Sequence, residues 1–327
     1  MIDLTRNRRK IFAFTGLFVL LLAAVLLLLP PEISPALGGG VGLEYRIHAV
    51  FNDEEEQQLA ESSLIQTASD TLGLSVEGSL VPSSAQENLW LLQLRLDPTD
   101  EIPYDDFQDL TYALINSFPG WTFQTTAGIS QSRGTAVRST VDYLLCLIVL
   151  LGISALYLLL RCRRLQSSPA AAAGMLGILS SLLGMCALSA LVGVVFDFST
   201  ILAALALVVF AVYDITAIFA AMERHPADSA ADWAMALRAA QQERGRGLMV
   251  NTLMVSAVLL SITVGAYHSD MTALTAFSFP LTAGLAFALY AGLVLVPLLW
   301  YEFRFGRESR TEPDSNYIYH KINQHLY

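Results

Sequence analysis

Six apolar runs constrain this chain more than any other feature. They occupy residues 11–29, 140–160, 170–195, 201–221, 248–267 and 276–300. A hydrocarbon core about 30 Å thick is crossed by ~20 helical residues. Backbone groups inside lipid must be paired within their own segment, which leaves helices or closed barrels. Runs of this length and composition therefore predict a polytopic α-helical membrane protein with six transmembrane helices. At 54% hydrophobic and 15% charged, the composition is too apolar for an ordinary soluble domain. The first run follows Arg6, Arg8, Arg9 and Lys10 and stops at Pro30 and Pro31. Its basic flank also fits a secretory signal. The run is long and lacks a clear small-residue cleavage site, so a retained span is expected.

Lys and Arg set the expected orientation. They cluster before the first run, after the second (Arg161, Arg163, Arg164), between the fourth and fifth (Arg224, Arg238, Arg244, Arg246) and after the sixth (Arg304, Arg307, Arg310). The short loops 196–200 and 268–275 have none. All clusters fall on one side if six spans are present, which places both termini in the cytoplasm of a cell-membrane protein. The expected division is a basic N-terminus with helix 1 (1–30), an outer domain (31–137), a five-helix bundle (138–303) and a cytoplasmic tail (304–327).

The net charge of −10 is unevenly spread. Residues 31–137 hold sixteen acids against three bases, which leaves that segment at −13 and the remainder at +3. Such an imbalance points to a separate water-facing domain and argues against nucleic acid as a partner, which would want basic faces. The segment reads as an extracytoplasmic α+β (βαββαβ, ferredoxin-like) domain between helices 1 and 2. Tyr45, Ile47, Ala49 and Phe51 alternate with Arg46 and His48 at strand period. Asn52 with Glu55 predicts a helix N-cap, and Gly73 closes a helix whose face carries Ala60, Leu64, Ala68 and Leu72. A strand near 74–80 follows. The order then repeats: Leu92, Leu94 and Leu96 alternate, Phe107, Leu110, Leu114 and Phe118 line a helix, and 121–127 is the last strand.

Within the bundle, Asp214 lies in the fourth run, about eight residues and ~12 Å from Met222. An acid in the hydrocarbon core costs several kcal/mol, roughly 2.5 to 3.5 on insertion scales. It reads as a site that exchanges a proton or pairs with a cation during transport, or as an acid satisfied by water or a hydroxyl. Arg246 opens the fifth run, either as a cationic partner facing the bundle interior or as an anchor reaching the headgroups. Asn251, Thr252, Ser256 and Thr263 follow on that run, the last three near one face, as a polar lane or as interhelical hydrogen bonding. Residues 227–243 predict a cytoplasmic helix with Trp233, Leu237 and Ala240 on one face. The third run has Gly177 with Ser181 and Ser180 with Gly184, a spacing that lets backbones approach. At the outer rim, Arg138 and Asp142, one turn apart, suit an interfacial ion pair.

Cys146, Cys162 and Cys186 lie in or beside apolar runs with no CxxC spacing, and the five histidines show no HExxH pattern. No phosphate-binding glycine loop or nucleophile elbow occurs. No cofactor, metal or enzymatic activity is expected.

The order of parts, one span, a β-α-β-repeat outer domain and five spans with an acid in the fourth, resembles the SecF protein-export membrane proteins of the SecD/SecF family, in the resistance-nodulation-division superfamily. Residues 37–45 (LGGGVGLEY) resemble the family's glycine-containing entry to its first outer strand. Residues 211–216 (AVYDIT), with Phe219, resemble its Ser-Ile-Asn-Asp-Thr motif, and 246–249 (RGLM) its Arg-Thr segment. Residues 220–224 (AAMER) stand where the family continues Asp-Arg-Ile-Arg-Glu. The resemblance implies a subunit that pairs with a SecD-like partner, associates with the Sec translocon, and uses a proton or sodium gradient to assist passage of secreted polypeptide. It also implies that Asp214 and Arg246 serve ion coupling. A small-molecule exporter half and a non-pumping translocon assembly scaffold are the alternatives.

Overall fold

The computed structural model describes residues 8–34, 37, 40–83, 88–96, 103–131, 133–225, 229–269 and 271–305. Helix α1 (Arg8–Leu28) is followed by a small sheet domain and then by a helical bundle. The C-terminal tail expected beyond Arg304 lies almost wholly outside the described residues.

The sheet domain runs β1 (Gly40–His48), α2 (Glu54–Leu72), β2 (Val76–Pro82), β3 (Leu89–Leu96), α3 (Tyr104–Ser117) and β4 (Thr122–Gln131). Its strands are ordered β2-β3-β1-β4, every neighbour antiparallel, with Tyr45 opposite Leu92 and Ile47 opposite Trp90. This is the split β-α-β topology expected from the repeated order of elements. Alternation places Tyr45, Ile47, Leu92 and Leu94 in one core with Leu64 and Ala68 of α2 and Leu110 and Leu114 of α3. At Gly78 a Cβ would lie 2.9 Å from Leu94 and 3.1 Å from Ile65, so glycine there lets α2 lie close on the sheet. Gly73 ends α2 in the left-handed region at φ 65°, as expected. The N-cap is one residue later than the sequence suggested. Asp53 accepts from the Glu56 N–H at 2.8 Å, and Glu56 rather than Glu55 reaches back to the Asn52 N–H at 2.9 Å. Asn and Asp are comparable caps, and the spacing of Asp53 and Glu56 is the one the backbone uses.

The bundle comprises α4 (Arg133–Arg161), α5 (Ser167–Val192), α6 (Phe198–Met222), α7 (Ala230–His268), α8 (Thr272–Tyr290), a π-helical turn (Ala291–Leu295) and α9 (Val296–Phe305). Among the described residues, six helical stretches are long and apolar enough to cross a membrane: Lys10–Leu28, Thr140–Arg161, Ser167–Val192, Phe198–Met222, Asp232–His268 and Ala273–Phe305. Large apolar side chains on α1 and α4, among them Leu17, Leu20, Ile148 and Ile153, remain exposed within the chain, as membrane-facing helices require.

Helices α5, α6 and α8–α9 make the interior. A Cβ at Gly174, Gly177 or Gly184 of α5 would overlap Leu158, Val296 or Phe287 respectively. The small residues of the third run thus let two helices approach, as their spacing suggests. The expected cytoplasmic helix and the fifth span are one continuous rod, α7, of 39 residues. Its start is fixed by a capping box between Ser229 and Asp232, and Gly245 and Gly247 do not interrupt it. At 1.5 Å per residue it is about 58 Å long, so its first turns extend past the apolar core. There Trp233, Leu237 and Ala240 are buried, with Trp233 edge-on to Trp300 at 5.4 Å.

The sheet domain is tied to the bundle by the chain that leaves α1. Ile33 pairs in parallel with Phe196, through bonds from Ser34 N–H to Phe196 O (2.9 Å) and from Phe196 N–H to Glu32 O (2.7 Å). The Thr140 hydroxyl donates to the Leu37 carbonyl at 3.0 Å.

Candidate functional site

Asp214 stands in α6 between the exposed Tyr213 and the buried Ile215. It is 3% exposed. No hydrogen bond or ion pair joins it to another side chain among the described residues. The neighbouring hydroxyl, Thr216, is engaged within its own helix with the Val212 carbonyl at 2.8 Å. Gly292 in the π turn of span six packs against the Cβ and backbone of Asp214, where a Cβ would lie 3.1 Å from the Asp214 Cβ. Desolvation penalises a bare charge at such a position.

Arg246 is exposed on α7, and no ion pair connects it with Asp214. Asn251 is exposed one and a half turns further on, and Ser261, also exposed, donates to the Ala257 carbonyl at 2.9 Å in its own helix. Thr252 is buried and Ser256 half-buried. Thr263 donates to Leu259 O (2.9 Å) and meets Ser278 of α8 at 2.7 Å. The residues expected to form a lane therefore separate: Thr263 joins two helices and Thr252 is buried, while Asn251 faces outward.

Polar contacts mark both ends of the bundle. Near the sheet domain, Asp197 caps α6, accepting from the Thr200 N–H at 3.1 Å. Burial pushes the Asp197 carboxyl above the usual range, and the hydrogen bonds from Thr200 and Ser199 partly oppose this. Arg138 and Asp142 are both exposed and form no ion pair with each other. At the arginine-bearing end, Arg161 pairs with Glu223 at 3.0 Å and Arg224 with Glu243 at 2.8 Å. The fully buried Trp300 donates to the Leu165 carbonyl at 2.7 Å.

Two buried polar side chains escaped the reading of the sequence. The Thr200 hydroxyl donates to the Ala276 carbonyl at 3.2 Å, and the Gln241 amide donates to the Leu293 carbonyl. Ala276 and Leu293 each precede a proline, Pro280 and Pro297, by four residues. Proline has no N–H to offer the carbonyl one turn back, so each donor fills that place from another helix. The available signal was Gln241 falling on the Trp233–Leu237 stripe at i+4.

No protein-family model and no curated protein matches the sequence. Among solved structures the chain is similar to SecDF, a translocon-associated membrane protein from Thermus thermophilus, with 16% identity and a TM-score of 0.70 over 93% of this chain and 38% of that one. It is also similar to SecDF in its super-membrane-facing form, with 17% identity and a TM-score of 0.54 over 94% of this chain and 39% of that one. The chain thus spans about two fifths of the length of these structures. It is a multi-pass membrane protein with a six-helix bundle and a sheet domain. Its fold is similar to that of the corresponding part of SecDF.

Proposed function

We propose that the chain is a SecF-like subunit of a protein-export complex that uses a proton or sodium gradient to help draw polypeptide across the cytoplasmic membrane. The observation that carries this reading is the burial of Asp214, without a countercharge among the described residues, in the fourth span of a SecDF-like fold. Neutralising and releasing that carboxylate changes which packing of α6 against span six is favoured, because the energy of a buried charge depends on its surroundings. The sheet domain is held by α1 and α4 and by the Ile33–Phe196 bridge, so it follows motions of the bundle. In this reading it lies outside the cytoplasm, both termini lie inside, and the protein is a transport subunit rather than an enzyme.

A SecD-like subunit is the expected neighbour of α7. Arg246 and Asn251 are polar and exposed on a membrane helix, a placement that is costly in lipid and favourable against a polar partner surface. The Sec translocon and the secreted chain complete the assembly.

The test is export of a secreted reporter from inverted membrane vesicles with and without an imposed gradient. Asp214→Asn is expected to abolish the gradient-dependent part while the protein remains inserted. Unchanged gradient-dependent export rejects ion coupling. If the translocon still co-purifies, that result leaves an assembly scaffold as the reading.

A further inference from the structure

Span six changes its winding where it meets Asp214. From Ala291 to Leu295 it is π-helical, and the Val296 N–H donates to Ala291, five residues back. Pro297 follows at once. In a continuous α-helix the amide of residue 297 would serve the carbonyl of Leu293, and proline has none. That carbonyl is taken by the Gln241 amide from α7. Gln241 is 6% exposed and lies one turn beyond the fully buried Leu237 on the same helix face. The upper end of the turn is held as well, with the Tyr290 hydroxyl 2.6 Å from that of Thr15 in α1. Gly292, between these two attachments, is the residue packed on the Cβ and backbone of Asp214. Single π turns inside α-helices concentrate at functional sites, and this one has an identifiable cause in Pro297 and an identifiable fastener in Gln241.

We propose that Gln241 is a positioning residue: by holding the Leu293 carbonyl it keeps the π turn seated and Gly292 pressed against Asp214, so that the long α7 rod governs access to the buried acid. The inference rests on the reading of Asp214 as the ion-coupling group. Its consequence is that displacement of the first turns of α7, by whatever binds the arginine-bearing end, loosens the packing of the π turn against Asp214.

The test uses the full chain in lipid nanodiscs and dicyclohexylcarbodiimide, a membrane-soluble reagent for buried carboxyls, with labelling at Asp214 followed by peptide mass spectrometry. Asp214→Asn identifies the site. Gln241→Met keeps the volume and removes the donor, and should raise the labelling rate about fivefold, the size of one net hydrogen bond. In a Pro297→Ala background the amide of residue 297 can serve Leu293 directly. Adding Gln241→Met there should leave the rate unchanged, a non-additivity that loss of packing alone would not produce. Equal rates for the wild-type protein and Gln241→Met, the same fivefold rise in the Pro297→Ala background, or no labelling of Asp214 in any form overturns the proposal. Export by Asp214→Asn is scored separately. Normal gradient-dependent export with the labelling pattern intact rejects the ion-coupling reading and leaves the fastener standing.

Discussion

Helices α6 and α7 both carry polar groups through the apolar layer, and they treat them in opposite ways. α6 turns Asp214 inward under Gly292 and holds Thr200 at 3% exposure, whereas α7 leaves Arg246, Asn251 and Ser261 outward. The buried acid is surrounded by the chain's own helices. A row of outward polar groups on a membrane helix is a surface that awaits a neighbour. The two helices thus divide these polar groups into an enclosed half and an open half.

The contrast is broken most severely by removing what seals the enclosed half. Trp300→Ala deletes a fully buried ring and the donor to the Leu165 carbonyl, and should cost about 3–5 kcal/mol, read from thermal unfolding in detergent. Next comes Gly292→Val. Its Cβ alone would lie 3.1 Å from the Asp214 Cβ, so the branched side chain should force α6 and span six apart at about 1–3 kcal/mol. The same assay would register it.

At the rim of the enclosed half, Asp197 supplies a pH dependence. Its raised carboxyl pKa means that the folded state holds the proton more tightly than the unfolded chain. Stability from this group is therefore full below the unfolded carboxylate pKa and is lost as pH rises through the raised one. Asp197→Asn retains an N-cap and should flatten that slope in melting temperature against pH. On the open half the effects shrink. The Thr263–Ser278 pair should show a coupling of about 0.6 kcal/mol in a Thr263→Val, Ser278→Ala cycle. Arg246→Ala should change the stability of the isolated chain by less than about 0.5 kcal/mol. It is nevertheless expected to weaken co-purification with a SecD-like subunit, and retention of full complex would move the partner surface elsewhere.

Much of this division could be read from the chain. Runs of apolar residues gave the spans, and strand alternation gave a sheet whose inward residues, such as Tyr45 and Leu92, are those now buried. Asp214 was visible because an acid is conspicuous among leucines and alanines. Whether Arg246 faces inward could not be read, since helical phase relative to a neighbour is a tertiary property. Nor could the continuity of α7. Residues 227–243 are polar on one face and the following run is apolar, so composition suggested two elements where the backbone makes one. Gln241 and Thr200 stayed hidden for a different reason. Each answers a vacancy made by a proline in another helix, and no local pattern links a donor to an acceptor dozens of residues away.

Those two vacancies limit how the sixth span can travel. One is filled near the sheet domain by Thr200, the other toward the arginine-bearing end by Gln241. A piston stroke along the membrane normal would tear both fastenings at the same moment. A tilt that pivots at Leu293 would load only the Thr200 bond, and Gly292, the next residue, would keep its place beside Asp214.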